Sequence, residues 1–193
     1  NKSLKQKDIA KMYYHRGMIY LNYAGMAMFD EEVEKEVEAN ESVYESIIKT
    51  SFEECIAGDV RGEWKDKIYN FADIQRAQAV NMGIELYNKK EYKNAFMMFE
   101  ASVDIYDLVS KTDSISLYYG ALSASNNGDA ETAVKYLQRC IDAKYNAANS
   151  YLQLITILRN NETIEGEIIE KIKMARAEYP NDYDLLIEEL NYY

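Results

Sequence analysis

The sequence predicts an all-α fold built from antiparallel helix pairs, and three observations carry this prediction. The chain has one Pro and eight Gly among 193 residues, which are too few turn-forming residues for an all-β domain. Apolar residues also recur at the three- and four-residue spacing of helices rather than at every second position. Along several stretches small residues alternate with large ones, which lets two helices approach closely while bulky side chains fill the gaps.

The clearest helix pair lies between Met82 and Ser102, where the sequence is MGIELYNKKEYKNAFMMFEAS. Two short amphipathic helices are predicted here, joined by a tight turn at residues 88–91. Small and large residues alternate at helical spacing across the two helices: Gly83, Leu86, Tyr92, Ala95, Phe99 and Ser102. The pattern predicts that the two helices pack face to face.

The N-terminal part of the chain predicts a similar but longer pair. Residues 1–7 are polar and are expected to fray, and Asp8 is the predicted N-cap of a first helix that contains YYHRGMIY at 13–20. The acidic run at 30–41 predicts a helix with a solvated charged face. A calcium loop is not expected there, because the run lacks the mid-loop Gly and the alternating ligands of such a loop. A second helix is predicted over 42–57.

A single long helix is predicted from residue 61 to residue 88, because no helix breaker interrupts this stretch. Its first half carries an apolar stripe at helical spacing: Trp64, Ile68, Phe71 and Ile74. We expect the lone Trp64 to pack in the core or between helix pairs rather than to form a ligand platform.

Two further helix pairs are predicted over residues 114–144 and 148–180. An Asn-Asn-Gly-Asp turn divides the first of these pairs, and Pro180, which cannot continue a helix, ends the second. Residues 183–193 predict a last helix that has no partner in the chain.

These patterns resemble the tetratricopeptide repeat, a helix–turn–helix unit of about 34 residues. The small residue of the second helix recurs as Cys55, Ser102, Cys140 and Ala175, and Pro180 stands where the family usually ends its unit. The resemblance, to a bacterial tetratricopeptide-like protein, implies one array over 1–193 whose helix pairs stack into a right-handed superhelix, an α-solenoid. Its parts are a degenerate first unit with an insertion (8–57), three further units (77–107, 114–144 and 148–180) and a capping helix (183–193).

The resemblance also implies a binding surface. Tetratricopeptide arrays bind a peptide or a partner protein along a concave groove lined by the first helices of successive units. The register of the units places these residues in the groove: Tyr14, Met18, Val80, Ile84, Tyr87, Tyr118, Leu122, Leu152 and Thr156. One subfamily holds a C-terminal carboxylate with Lys, Arg and Asn at these positions, whereas this chain carries aromatic and aliphatic side chains. We therefore expect an extended apolar or aromatic ligand; the alternative is that these residues only pack against one another.

Residues suited to catalysis are few and scattered. The only histidine, His15, lies within a predicted helix, and Cys55 and Cys140 occupy small positions where burial is expected. No metal-ligand, nucleophile or phosphate-loop spacing occurs, so we expect no catalytic residue, no metal and no cofactor. The sequence favours a non-enzymatic scaffold or adaptor for protein–protein interaction.

The charge of the chain narrows the choice of partner. A net charge of −11 repels polyanions, so we expect no nucleic-acid partner. No apolar run approaches the roughly 18 residues of a membrane span, so we expect no membrane insertion. The expected partner is therefore a protein or a peptide.

Two other functions remain open. The chain could be a sensory or regulatory region of a larger signalling or transcription-regulating protein, or a structural homo-oligomer that pairs through its exposed terminal helices. The start at Asn1 rather than Met raises the expectation of a processed or excerpted chain. Together with the Lys- and Asn-rich composition, it favours a bacterial periplasmic or envelope location over the cytoplasm.

Overall fold

The computed structural model describes residues 2–27, 30–161 and 165–192, and these residues form ten helices and no strand. The helices are α1 (Lys2–Met26), α2 (Glu31–Ala39), α3 (Glu41–Gly58), α4 (Glu63–Asn88), α5 (Tyr92–Asp107), α6 (Ser114–Asn126), α7 (Ala130–Asp142), α8 (Ala147–Asn160), α9 (Glu165–Glu178) and α10 (Tyr183–Tyr192). The all-α prediction is confirmed, and the right-handed superhelix stays a prediction.

Aspartate side chains begin several of these helices by accepting hydrogen bonds from backbone N–H groups of the first turn. At the start of α7, the Thr132 N–H donates to the Asp129 carboxylate at 3.0 Å. The first N–H groups of a helix have no partner within the helix, so an Asp at this position fixes where the helix begins. The same role is filled by Asp30 at α2, Asp59 at α4, Asp113 at α6 and Asp182 at α10.

The first helix begins earlier than the sequence predicts. Asp8 is not its N-cap, because α1 already runs from Lys2, and residues 2–7 belong to it. Lys and Gln are good helix formers, and the segment KSLKQK contains no residue that stops a helix. The helix therefore extends through a polar stretch that was expected to fray.

The long helix predicted from residue 61 is present as α4, which runs unbroken for 26 residues. Trp64 is 7% exposed and Ile68 is 1% exposed, so the beginning of the predicted stripe is buried, as expected for Trp64. Ile74 is 48% exposed, which shows that the stripe turns towards solvent after its first two turns.

The chain divides into two compact units. Unit 1 comprises Asn1–Ala77 and Asp104–Lys111, and unit 2 comprises Gln78–Val103 and Thr112–Tyr193. Because the division falls within α4 and α5, each of these two helices contributes residues to both units. The single array over 1–193 stays a prediction.

In unit 1, α1 packs against α3, and the first half of α4 joins their core. Gly17 permits the close approach of the two helices, because a β-carbon at this position would lie 2.5 Å from the Phe52 ring, which is 1% exposed. The predicted helix pair over 8–57 corresponds to α1 and α3, with the acidic α2 between them in the chain, whereas a repeat unit with an insertion stays a prediction.

In unit 2, the helices from α6 to α10 pack each against the next in chain order. Two glycines permit close approach to an aromatic ring: a β-carbon at Gly83 would lie 2.8 Å from Phe99, and one at Gly120 would lie 3.0 Å from Tyr136. At the end of the chain Leu185 is 0% exposed, so α10 is packed against α9.

One polar pair is buried in unit 2. The Ser102 hydroxyl donates to the Asp113 carboxylate at 2.7 Å, and the two residues are 0% and 1% exposed. The same carboxylate accepts the Ser116 N–H as the N-cap of α6. Because a buried carboxylate without donors is strongly unfavourable, this pair ties the second helix of one pair to the start of the next.

Candidate functional site

Two of the residues predicted to line a groove lie in unit 1. The Tyr14 ring lies 4.9 Å from the Trp64 ring and 5.3 Å from the His15 ring, measured between centroids. Met18 is half-buried and packs against the core of unit 1. Both side chains are therefore engaged in packing within this unit.

The predicted residues of α4 lie in unit 2 and differ in exposure. Val80 is 8% exposed and belongs to the interior, so it offers little surface to a ligand. Ile84 is 38% exposed, and Tyr87 is half-buried. Because Ile84 and Tyr87 are three residues apart, they share one face of the helix.

Most of the predicted groove residues of α6 and α8 are also only partly exposed to a ligand. Tyr118, Leu122 and Leu152 are half-buried, and Tyr118 and Leu152 pack against the core of unit 2. Thr156 is exposed, and its hydroxyl donates to the Leu152 carbonyl oxygen at 2.9 Å. Of the predicted set, the structure links Tyr87 and Tyr118 through a neighbouring ring.

That link is part of a continuous series of tyrosine rings in unit 2, here called the tyrosine row. It consists of Tyr92, Tyr87, Tyr119, Tyr118 and Tyr145, in that order, and each ring contacts the next. The successive centroid distances are 5.5, 6.1, 5.8 and 6.4 Å, and every contact has the edge-to-face geometry that aromatic pairs prefer. All five residues are half-buried, so each keeps part of its ring at the surface.

A buried core residue supports the tyrosine row. The Tyr119 ring stacks on the Phe99 ring with a centroid distance of 5.9 Å, and Phe99 is 0% exposed. Phe99 is in turn held against Gly83 of α4. The row is therefore supported, through Tyr119, by the same packing that joins α4 and α5.

Burial favours the protonated form of two tyrosines of the row, Tyr87 and Tyr118. Desolvation raises the pKa of Tyr87 and of Tyr118, and the neighbouring tyrosines act in the same direction. A side-chain hydrogen bond with Asn126 acts in the opposite direction on the pKa of Tyr87. At neutral pH Tyr87 and Tyr118 thus present apolar rings and neutral hydroxyl groups.

Sequence reasoning missed three members of the row, namely Tyr92, Tyr119 and Tyr145. Tyr119 is adjacent to Tyr118, and the pair of consecutive tyrosines was a signal that two neighbouring faces of α6 are aromatic. Tyr92, the first residue of α5, was identified only as a packing residue of the second helix, and Tyr145 follows α7, between the predicted units 114–144 and 148–180.

Other reactive groups are isolated from one another. His15 is exposed on α1, whereas Cys55 and Cys140 are each 0% exposed, which confirms their predicted burial. Desolvation raises the pKa of the Cys55 thiol to about 11 and that of the Cys140 thiol to about 12, so both are held as unreactive thiols. Among the described residues no group of three or more His, Cys, Asp or Glu side chains is placed to hold a metal ion.

Comparison with known proteins finds no matching family model, no matching curated protein and no matching solved structure. Within the part of the chain that the structure describes, no helix combines the length and the apolar character needed to cross a bilayer.

Proposed function

We propose that the chain is a non-enzymatic scaffold that binds an extended segment of a partner protein across the tyrosine row of unit 2. The observation that carries the proposal is the row itself, in which five half-buried rings contact one another in series. A core needs no such series of partly exposed tyrosines, since leucine or phenylalanine would fill it without leaving hydroxyl groups to be satisfied.

Tyrosine suits a recognition surface for physical reasons. It offers a large rigid contact area with only two side-chain torsions to immobilise, and its hydroxyl group can donate or accept a hydrogen bond. Because Phe99 and the neighbouring rings already hold the row, little side-chain entropy is lost when a ligand binds. The row therefore fits a segment with apolar or aromatic side chains and free backbone polar groups.

The proposal includes the finer features implied by the repeat resemblance. The helix pairs of unit 2 stack as tetratricopeptide-like units, with α6 and α7 as one pair and α8 and α9 as the next. Gly83 and Gly120 support this assignment, because each permits a first helix to approach an aromatic ring of the second helix that follows it. The acidic net charge of −11 favours a partner segment that is neutral or basic.

The experiment starts from a random peptide library displayed on phage, selected against the full chain. The affinity of the selected peptides is then measured by fluorescence polarisation for the parent and for a Tyr87→Ala/Tyr118→Ala variant. Loss of two ring anchors is expected to weaken binding by about tenfold or more. A Tyr183→Ala variant is the matched control, because Tyr183 is 71% exposed on α10 and lies outside the row.

A second variant separates binding from folding. Ile84 is 38% exposed, so Ile84→Glu adds a charge beside Tyr87 without opening a cavity in the core. We expect this variant to melt like the parent and to bind the selected peptides more weakly. If the Tyr87→Ala/Tyr118→Ala and Ile84→Glu variants both remain folded and bind the peptides as tightly as Tyr183→Ala does, the tyrosine row only packs the core and the proposal is wrong.

A further inference from the structure

Unit 1 contains a cleft that the proposed function does not use. Its volume is about 320 Å³, and its floor is apolar, formed in part by Leu21 of α1, Ile48 of α3 and Leu108. A cleft of this volume is at the lower end of the range for small-molecule sites. The apolar floor favours any ligand that carries a hydrocarbon or aromatic body.

The rim of the cleft is acidic. Glu41 and Glu45 of α3 line it together with Asp104, and no basic residue is among the lining side chains. Glu41 and Glu45 lie four residues apart on one helix face, so their like charges repel each other. Neither has a hydrogen-bond or ion-pair partner among the described residues, so a ligand cation would be their first counter-charge.

An aromatic ring completes the lining. Tyr44 of α3 lines the cleft, and it stacks on Tyr23 with a centroid distance of 5.8 Å and an interplanar angle of 11°. Both hydroxyl groups donate to the Glu36 carboxylate, Tyr23 at 2.7 Å and Tyr44 at 2.9 Å. Glu36 therefore holds Tyr44 in place in the lining of the cleft, and aromatic rings attract cations.

We propose that this cleft binds a small organic cation with an apolar body, such as an alkyl- or arylammonium ion. The body lies on the floor of Leu21, Ile48 and Leu108, and the ammonium group lies between Glu41 and Glu45 at the rim, near the Tyr44 ring. The site goes beyond the proposed function, because it belongs to unit 1 and takes a small molecule instead of a protein segment. If the cleft does not bind such a cation, the proposal for the tyrosine row is unaffected.

The test compares three probes that share one apolar body and differ in charge: hexylammonium, hexanol and hexanoate. Each is titrated into the full chain while the methyl NMR signals of Leu21, Ile48 and Leu108 are followed. Hexylammonium is expected to bind about tenfold more tightly than hexanol, because two carboxylates attract it, and hexanoate is expected to cause no saturable shift. Added salt should reduce the advantage of hexylammonium, because the rim is solvated.

Two matched double variants test whether the carboxylates of the rim bind the ammonium group. Glu41→Gln/Glu45→Gln should reduce the affinity for hexylammonium to about that for hexanol and leave the affinity for hexanol unchanged. Glu34→Gln/Glu38→Gln changes the net charge equally, but its exposed residues on α2 do not line the cleft, so it should leave both affinities unchanged. All four residues are exposed, so both variants should fold.

Three results would overturn the proposal. The first is equal binding of hexylammonium and hexanol, which would make the cleft merely apolar. The second is the same loss of affinity in both double variants, which would make the effect one of net charge. The third is the absence of any saturable shift at tens of millimolar hexylammonium.

Discussion

Replacing Gly83 by Ala tests the packing that supports the tyrosine row. An added β-carbon would lie 2.8, 2.9 and 3.0 Å from three atoms of the Phe99 ring, and the first two distances are shorter than β-carbon contacts in folded proteins. The ring cannot withdraw easily, because Phe99 is 0% exposed and stacks on Tyr119. The substitution therefore forces α4 and α5 apart or moves the ring off its preferred rotamer.

Two opposing effects set the size of the change. Ala is favoured over Gly inside a helix by about 1 kcal/mol, which stabilises the variant. Overpacking of a well-filled core costs about 1–3 kcal/mol, and contact with three ring atoms places this site in the upper part of that range. We expect the free energy of unfolding of Gly83→Ala to fall by about 1–2 kcal/mol.

Urea denaturation followed by far-UV circular dichroism measures this change. The control is Gly166→Ala in α9, where nothing lies within 4 Å of the added β-carbon, so the free energy of unfolding should rise by about 0.5 kcal/mol. The same substitution thus has opposite signs at two sites of one unit. In a Phe99→Leu background, the smaller side chain should relieve most of the cost of Gly83→Ala.

A stabilising effect of Gly83→Ala would refute the reasoning. It would mean that the Phe99 ring does not lie against Gly83, and that the register of α4 against α5 is wrong. An equal cost of Gly83→Ala in the Phe99→Leu background would lead to the same conclusion, because the clash would then lie elsewhere.

Three further predictions follow from buried and capping groups. Ala95→Asp places a charge at a position that is 0% exposed, so the free energy of unfolding should fall by about 4 kcal/mol or more, seen as lost helicity in circular dichroism. Asp129→Ala removes the N-cap of α7 and should cost about 1 kcal/mol in urea denaturation. Because the hydrogen bonds from Thr132 lower the pKa of Asp129, its contribution should be complete at neutral pH and should fade as pH falls below 3.8, where Asp129→Ala and the parent converge. Burial raises the pKa of Cys140 from 9.0 to about 12, so the contribution of this thiol to the free energy of unfolding is complete below pH 9.0 and is lost as pH rises from there to about 12. In native protein at pH 8, iodoacetamide should therefore alkylate Cys140 far more slowly than in urea.

Helix positions could be predicted from the sequence because helical periodicity is a local property. The turn between α4 and α5 lies where the polar residues 88–91 interrupt two apolar stripes, and α4 is unbroken because no Pro or capping signal occurs within it. The burial of Cys55 and Cys140 was predicted for a similar reason, since both stand at the small position of a second helix.

The binding surface could be predicted only in part, because exposure depends on neighbours that are distant in the sequence. Val80 has the spacing of a groove residue, but it is buried among the side chains of unit 2. Tyr87 and Tyr118 were identified by register, whereas their link through Tyr119 depends on how α4 and α6 pack. A single tyrosine can lie in a core or at a surface, so its residue type alone, without its contacts, does not decide between them.

The buried contact between Ser102 and Asp113 has a consequence for how the chain folds. Proteins made of similar helix pairs are prone to mispairing, because one interface can substitute for another during folding. In the register predicted from the sequence, the other pairs carry Cys55, Cys140 or Ala175 at the same small position, and none of these offers a strong donor to a carboxylate. A different order of helix pairs would take the Ser102 hydroxyl away from the buried Asp113 carboxyl group, so we expect this hydrogen bond to favour the observed order of the helices around it.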